Sequence, residues 1–314
     1  MRTGPPLDSE LKVLLGELPQ DAMSLVPGTI AVLRQAMAEQ FASDEDMLAA
    51  AAVRIDRHTA VGVARDVELI VVSAPPGAVP RPGILHIHGG GLVAGGHRSG
   101  MVGMAELAVE LGCVVVSVDY RLAPECPYPA ALDDCVTALK WTISMAAALG
   151  IDPERIAVWG GSAGGGIAAG LALRCRNVGG VQIRALLLLQ PMLDDRNETP
   201  STYEIDDDIF WDRTSNATGW TSYIGHLDVV PPDAAPARAD DLVGMPPTFI
   251  EVGDVDIFRD ECLDFAARLS HAAVSVELHM WPGGFHGFDG WASTLSRQAR
   301  DARIRYLRRA LEIA

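Results

Sequence analysis

The chain of 314 residues is 49% hydrophobic and has a net charge of −16, which argues against nucleic acid or an anionic membrane as a partner. No apolar run approaches the ~18 residues that a membrane-spanning helix needs, and residues 1–20 lack a signal-peptide pattern. The five cysteines are scattered without C-x-x-C spacing, so we expect reduced thiols in a cytoplasmic protein.

The predicted elements alternate between strands and helices after a helical N-terminal stretch. Residues 1–45 hold amphipathic fragments broken by Pro19 and Pro27, which predict two or three short helices. Eight segments of strand length follow, at 53–58, 67–72, 84–87, 113–118, 156–159, 185–189, 248–252 and 274–280. Helices are predicted at 101–111, at 130–149, directly after Ser162, at 259–273 and at 292–312. The polar stretch 192–241 has no strand signal.

This alternation indicates one α/β sheet. The first two strands alternate apolar and polar residues and predict an antiparallel edge, whereas most later strands are continuously apolar. Short apolar strands separated by helices are typical of a mostly parallel sheet that is buried on both faces. Reactive groups on such a sheet collect at the carboxyl ends of its strands, and here those positions hold residues 88–91, Ser162, Asp254, Asp256 and His286.

The segment after the fifth predicted strand contains the G-x-S-x-G pattern of a nucleophile elbow at Gly160, Ser162 and Gly164. Glycines on both sides of the serine remove side chains that would collide in a tight turn. A glycine-rich turn that only packs a helix on a sheet would have the same pattern. The loop is not a P-loop, because no Gly-Lys-Ser/Thr follows it.

A nucleophilic serine needs a base, and that base needs a carboxylate. Among eight histidines, His286 lies downstream of the serine and just after the last predicted strand, which fits the chain order Ser, acid, His of α/β-hydrolases. Asp254 and Asp256 both follow a strand between the two, and spacing alone does not separate them. Asp260 and Glu261 are interpreted as first-turn carboxylates of the next helix.

The run His88-Gly89-Gly90-Gly91 follows a predicted strand and could direct several backbone N–H groups to one point. Alone, such a run is more often a flexible loop. Its combination with the elbow and with a late acid and histidine indicates acyl-transfer chemistry.

With these motifs, the chain resembles the hormone-sensitive-lipase-like (bacterial family IV) carboxylesterases. The resemblance covers roughly residues 50–310 and rests on H-G-G-G at 88–91, D-Y-R-L-A-P-E at 119–125, G-G-S-A-G-G at 160–165, V-D-I-F-R-D-E at 255–261 and F-H-G-F at 285–288. It implies an α/β-hydrolase fold, with a mostly parallel eight-stranded sheet flanked by helices and a helical cap. Residues 1–45 and 192–241 would then form the cap, and 46–191 and 242–314 the core.

The resemblance also implies residue roles. Asp256 becomes the acid beside Ser162 and His286, and the N–H groups of Gly90, Gly91 and Ala163 become the oxyanion hole. The family most often has aspartate immediately before its serine, where this chain has Gly161, which puts the rigidity of the loop in doubt. Asp119, Arg121 and Glu125 are interpreted as a structural network.

We therefore expect a serine esterase acting on small soluble esters with short to medium acyl chains. An amidase, formamidase or lactonase with the same triad is the nearest alternative, and a non-catalytic small-molecule receptor is a more distant one. No metal or organic cofactor is expected. Trp211 and Trp220 are expected to shape the substrate pocket, although they could simply attach the cap to the sheet domain. The last predicted strand is a sheet edge, so a homodimer through it is a further expectation.

Overall fold

The structure is a computed structural model that describes residues 4–16, 24–75, 77, 80–205 and 211–313. The strands within these ranges are β1 (Arg54–Ala60), β2 (Val67–Ser73), β3 (Arg81–Ile87), β4 (Val114–Val118), β5 (Ile151–Gly161), β6 (Ala185–Leu189), β7 (Thr248–Val255) and β8 (Val276–Phe285). The α-helices are α1 (Ser9–Gly16), α2 (Ile30–Ala38), α3 (Asp44–Ala50), α4 (Met101–Leu111), α5 (Ala130–Ser144), α6 (Ala146–Leu149), α7 (Ala163–Val178), α8 (Pro200–Glu204), α9 (Arg213–Ile224), α10 (Arg259–His271) and α11 (Thr294–Ala310).

All eight strands form a single sheet in the order β1-β2-β4-β3-β5-β6-β7-β8. The pairs β1·β2 and β2·β4 are antiparallel, and the other pairs are parallel. The prediction of a mostly parallel eight-stranded sheet is therefore confirmed. Because β3, β5, β7 and β8 run in the same direction, their carboxyl ends lie at one edge of the sheet, where the candidate site residues follow.

Side chains of successive strand residues point to opposite faces, and the sheet accordingly separates two cores. Leu85, Val158 and Leu188 belong to the core that includes side chains of α5, α7 and α10. Trp159 and Leu187 belong to the core under α4 and α11. Full burial of such a leucine contributes about 1.5–3 kcal/mol, so the continuously apolar strands stabilise both layers.

Several strands are longer than the sequence predicts. The last strand continues to Phe285 instead of ending at 280, although Pro282, Gly283 and Gly284 normally interrupt strands. It continues because β7 also extends, and Phe285 pairs with Val255. His286 therefore follows the strand directly, and the predicted end of this strand at residue 280 is wrong. Similarly, β5 begins at Ile151, and the long helix predicted at 130–149 is divided at Met145.

The two segments predicted to form the cap contact each other. The Leu25 N–H donates to Ser215 Oγ at 2.8 Å, and Thr218 Oγ1 donates to the Leu25 carbonyl at 2.9 Å. Both partners lie on α9, and the described part of 192–241 contains helices and turns but no strand. The division into cap and core stays a prediction. Among the described residues, no helix is long and apolar enough to cross a membrane.

Candidate active site

The turn between β5 and α7 has Ser162 at its tip. Ser162 adopts φ 54° and ψ −122°, a positive φ that costs a non-glycine residue about 1–3 kcal/mol. Two backbone hydrogen bonds hold the turn: the Ser162 N–H donates to the Leu189 carbonyl at 2.8 Å, and the Met192 N–H donates to the Ser162 carbonyl at 3.0 Å. A Cβ atom at Gly164 would overlap the carbonyl oxygen of Ile87, so this position of the motif requires glycine.

Gly161 leaves open space beside this turn. A Cβ atom there would meet only the Leu189 carbonyl oxygen, at 4.0 Å. The residue lines a cavity of about 520 Å³ together with His86, Trp159 and Leu189. The two backbone hydrogen bonds of Ser162 hold the turn without a side chain at position 161.

His286 lies within hydrogen-bond distance of the serine. Its Nε2 is 2.9 Å from Ser162 Oγ, and its Nδ1 is 2.9 Å from Asp256 Oδ2. The Phe258 ring stands edge-on to the imidazole at 5.0 Å, and the Trp211 ring lies 6.5 Å away. The imidazole is thus oriented by a carboxylate on one side and enclosed by two aromatic rings.

The two candidate aspartates have different partners. Asp256 is fully buried, contacts His286, and accepts a second hydrogen bond from the Phe258 N–H at 2.9 Å. Asp254 instead accepts from the Gly283 N–H at 2.6 Å, and burial raises the pKa of Asp254. The structure therefore brings Asp256, and not Asp254, to the imidazole that faces Ser162.

The glycine loop after β3 supplies free backbone donors next to Ser162. Among the described residues, no acceptor bonds to the N–H of Gly90, Gly91 or Ala163, and Ala163 is the first residue of α7. The helix N-terminus favours negative charge at this point. Gly91 has a φ of 60°, and a Cβ atom there would overlap the Trp211 ring. The loop therefore packs between the serine turn and Trp211 of the 192–241 segment.

The two tryptophans of the 192–241 segment lie in different surroundings. Trp211 packs on Gly91 and faces His286, and its Nε1 is 3.4 Å from Asn216 Oδ1. Trp220 is buried on α9, tilted against Tyr223, and its Nε1 has no partner among the described residues. Of the two predicted pocket residues, the structure places Trp211 beside the other site residues.

Histidines near the glycine loop are structural. His86 Nδ1 contacts Ser117 Oγ at 2.9 Å, and His88 stacks on Tyr120 at 4.0 Å. Burial lowers the pKa of His86 to about 3 and that of His88 to about 4, so both rings are neutral near pH 7. His97 contacts Asp119 at 2.9 Å.

Among the described residues, the charged side chains of the D-Y-R-L-A-P-E segment bind three different partners, and the network that the sequence suggested among them stays a prediction. Arg121 binds the buried carboxylate of Asp134, and Glu125 binds Arg34. Arg34 also donates to the carbonyl of Val93 at 2.7 Å, close behind the glycine loop. These residues therefore support the site without entering it.

Two features of the site were missed by sequence reasoning. Glu261 lies in the first turn of α10, as expected, but the sequence did not indicate that it is buried and accepts from the Leu193 N–H at 2.7 Å. Burial raises the pKa of Glu261 well above the ordinary value of a carboxyl. The second feature is the Gln190 side chain, which accepts from the Gly287 N–H and donates to Asp289 Oδ1, just after His286. No motif or spacing in the sequence distinguishes Gln190 or Asp289.

Comparison with known proteins agrees with this architecture. The pattern of a family with the alpha/beta hydrolase fold matches residues 84–290. Esterase LipI of Mycobacterium tuberculosis is 39% identical over 222 residues, which are 70% of this chain and 69% of LipI. Carboxylesterase NlhH of the same species is 40% identical over 237 residues, which are 73% of this chain and 74% of NlhH. A bacterial heroin esterase structure superposes with a TM-score of 0.90 at 38% identity, over 98% of this chain and 99% of that one. The chain therefore belongs to the hormone-sensitive-lipase-like family of esterases with the α/β-hydrolase fold.

Proposed function

We propose that this protein is a serine carboxylesterase that hydrolyses small carboxylic esters through an acyl-enzyme on Ser162. The observation that carries the proposal is the continuous hydrogen-bonded chain from Ser162 Oγ through His286 to the buried Asp256 carboxylate. The names of the relatives, esterase and carboxylesterase, support the same reaction. Family membership alone would not, because one fold carries many chemistries.

In the first step, Ser162 Oγ attacks the acyl carbonyl carbon while His286 Nε2 takes the hydroxyl proton. Asp256 holds the imidazole in the tautomer with hydrogen on Nδ1 and stabilises the imidazolium that forms. The N–H groups of Gly90, Gly91 and Ala163 bind the developing oxyanion. Loss of one such donor costs about 3–4 kcal/mol of transition-state stabilisation. The C–O bond then breaks, and the alcohol leaves with the proton from His286.

In the second step, water replaces the alcohol. His286 takes one proton from the water as its oxygen attacks the acyl-enzyme carbonyl carbon. Collapse of the second tetrahedral intermediate releases the carboxylic acid and returns the proton to Ser162 Oγ. Every proton thus moves through one imidazole, so the reaction needs His286 to be neutral at the start of each step.

The substrate pocket is proposed to be short. Trp211 occupies the space directly over Gly91, next to the oxyanion donors, and its ring faces His286. An indole in this position limits the length of acyl chain that fits above Ser162. The acidic chain, at −16 overall, is also unsuited to an anionic lipid surface.

We expect kcat/KM on p-nitrophenyl esters to peak at about two to eight acyl carbons, since each methylene that fits gains at most about 0.8 kcal/mol and the gain reverses where the pocket ends. Trp211→Ala should move the peak to longer chains. Trp220→Ala is the control and should leave the peak in place, because the Trp220 ring packs against Tyr223 and not, like Trp211, beside His286. A wild-type optimum at roughly twelve carbons or more would contradict the short pocket.

A homodimer through β8 is also proposed. This strand ends the sheet, and no second strand of the described chain pairs with its outer edge. Leu278 and Met280 lie on it with 39% and 47% of their surface exposed. An exposed apolar edge strand favours pairing with a symmetry mate.

Sedimentation should therefore give twice the monomer mass of 33.4 kDa at micromolar concentration. Substituting both Leu278→Lys and Met280→Lys should return the monomer, because charges at an edge oppose strand pairing. Val61→Lys, an exposed valine next to β1 at the opposite edge, should not. A wild-type protein that sediments only as a monomer would argue against the dimer.

A cytoplasmic location is proposed from the cysteines. All five are free thiols, and four of them are buried. A chain that folded in an oxidising compartment would more often pair such residues. Cell fractionation that recovers the enzyme outside the cytoplasm would exclude this location.

A further inference from the structure

A short segment that begins with the last residue of β6 contacts Ser162 and the residue that follows His286. Its first residue, Leu189, accepts from the Ser162 N–H at 2.8 Å, and Met192 donates to the Ser162 carbonyl at 3.0 Å. Gln190 lies between them with a φ of 47°, which is uncommon for a residue other than glycine. Its N–H donates to the Glu251 carbonyl on β7 at 2.7 Å. The backbone around Gln190 is thus tied to the serine turn and to the neighbouring strand.

The Gln190 side chain reaches the residues that follow His286. It is only 3% exposed. Its Oε1 accepts from the Gly287 N–H, and its Nε2 donates to Asp289 Oδ1 at 2.8 Å. A backbone N–H can only donate and a carboxylate can only accept, so the position requires one acceptor and one donor at the end of a side chain of this length. An amide meets both requirements.

Asp289 is itself held by buried charges. Arg303 Nη2 donates to Asp289 Oδ2 at 2.9 Å, and Arg303 Nε donates to Glu251 Oε1 at 2.7 Å. Although burial opposes it, the Arg303 guanidinium lowers the pKa of Asp289, so the carboxylate is charged. The Gln190 amide therefore donates to a network of Asp289, Arg303 and Glu251, which connects it to β7 and α11.

We propose that Gln190 is a positioning residue that fixes His286 relative to Ser162, an inference that rests on the proposed esterase function. The segment 189–192 holds Ser162 through its backbone, and the Gln190 side chain holds Gly287, the residue next to the base. Together they maintain the 2.9 Å separation of His286 Nε2 and Ser162 Oγ. A displacement of about 1 Å in such a pair costs about 10²-fold in rate.

The test compares Gln190→Met and Gln190→Glu with the wild type on p-nitrophenyl acetate. Methionine removes both hydrogen bonds and should lower kcat about 10–100-fold at every pH while KM stays within about twofold, because the lost alignment acts in the transition state. Thermal unfolding of each variant shows whether it remains folded.

Gln190→Glu should have a different signature, since the new carboxyl would face Asp289, Arg303, Glu251 and His286. When protonated it donates to Asp289 as the amide does. When ionised it repels Asp289, and burial next to that carboxylate raises its pKa. The protonated form is thus the active one, and kcat should fall as pH rises from about 6 to about 10, where the wild type keeps its rate.

The double substitution Gln190→Glu with Asp289→Asn should restore the wild-type profile. The carboxylate at 190 would accept from the Gly287 N–H and from the new amide at 289, whose oxygen would still accept from Arg303. The number of hydrogen bonds and the net charge stay the same, with donor and acceptor exchanged. If Gln190 acted only on stability, the folded single variant would keep the wild-type pH profile of kcat, and there would be no altered profile to restore.

Tyr306→Phe is the matched control on α11. It removes a partly buried hydrogen bond, 2.8 Å long, to the Pro247 carbonyl at the amino end of β7, and it should lower stability without changing the pH profile. A Gln190→Glu enzyme with the wild-type profile, or a double variant no better than the single one, would overturn the positioning role. An inactive wild type would instead refute the esterase function itself.

Discussion

Asp256→Asn should lower kcat on p-nitrophenyl acetate about 10⁴-fold. Asp256 Oδ2 accepts from His286 Nδ1 and Oδ1 accepts from the Phe258 N–H, so each carboxylate oxygen has its own donor. An asparagine that keeps the Phe258 bond must direct its NH₂ group to Nδ1. The imidazole would then carry its hydrogen on Nε2 and could not take the Ser162 proton. Steady-state kinetics with thermal unfolding of both proteins measures the effect.

Asp254→Asn is the matched control, two residues away on the same segment. The asparagine oxygen can still accept from the Gly283 N–H, and neither carboxylate oxygen of Asp254 contacts His286 among the described hydrogen bonds. We expect a change in kcat of less than about tenfold, because no transition-state contact is removed. A larger loss from Asp254→Asn than from Asp256→Asn would refute the assignment of the acid.

Ser162→Ala should have the largest effect, lowering kcat about 10⁶-fold. Without the hydroxyl no acyl-enzyme forms, and the remaining rate would come from water attacking an ester held by the oxyanion donors. Ser144→Ala, which removes an exposed hydroxyl on α5, should leave the rate unchanged. Near-wild-type turnover by a purified Ser162→Ala protein would mean that the nucleophile is another residue.

Much of the fold follows from local pattern. The alternation of the first two strands and the apolar runs of the others predict the sheet. A strand buried on one face alternates apolar and polar residues, and a strand buried on both faces is continuously apolar. The extension of β8 to Phe285 was not predictable from its own residues, since Pro282 and two glycines favour a turn. It depends on pairing with β7 across the sheet, and pairing between distant segments leaves no local signal.

The same distinction applies to the site. Ser162 was predictable because the glycine spacing around it reflects the steric requirements of the turn. His286 was predictable because it fits the chain order Ser, acid, His. Asp254 and Asp256 are equivalent in spacing, and only their partners in three dimensions separate them. Gln190 is a single polar residue between Leu189 and Pro191, and its contacts lie 97 and 99 positions away along the chain. Such a contact can be found only in the folded structure.

The central claim is that Ser162 forms a covalent acyl-enzyme, and labelling with a serine-directed organophosphate tests it most directly. Incubation of the active enzyme should add one adduct per chain and abolish esterase activity in parallel. Peptide mapping by mass spectrometry should place that adduct on Ser162, and Ser162→Ala should remain unlabelled. Loss of activity with Ser162 unmodified, or an adduct on a different residue of the active enzyme, would contradict the proposed mechanism.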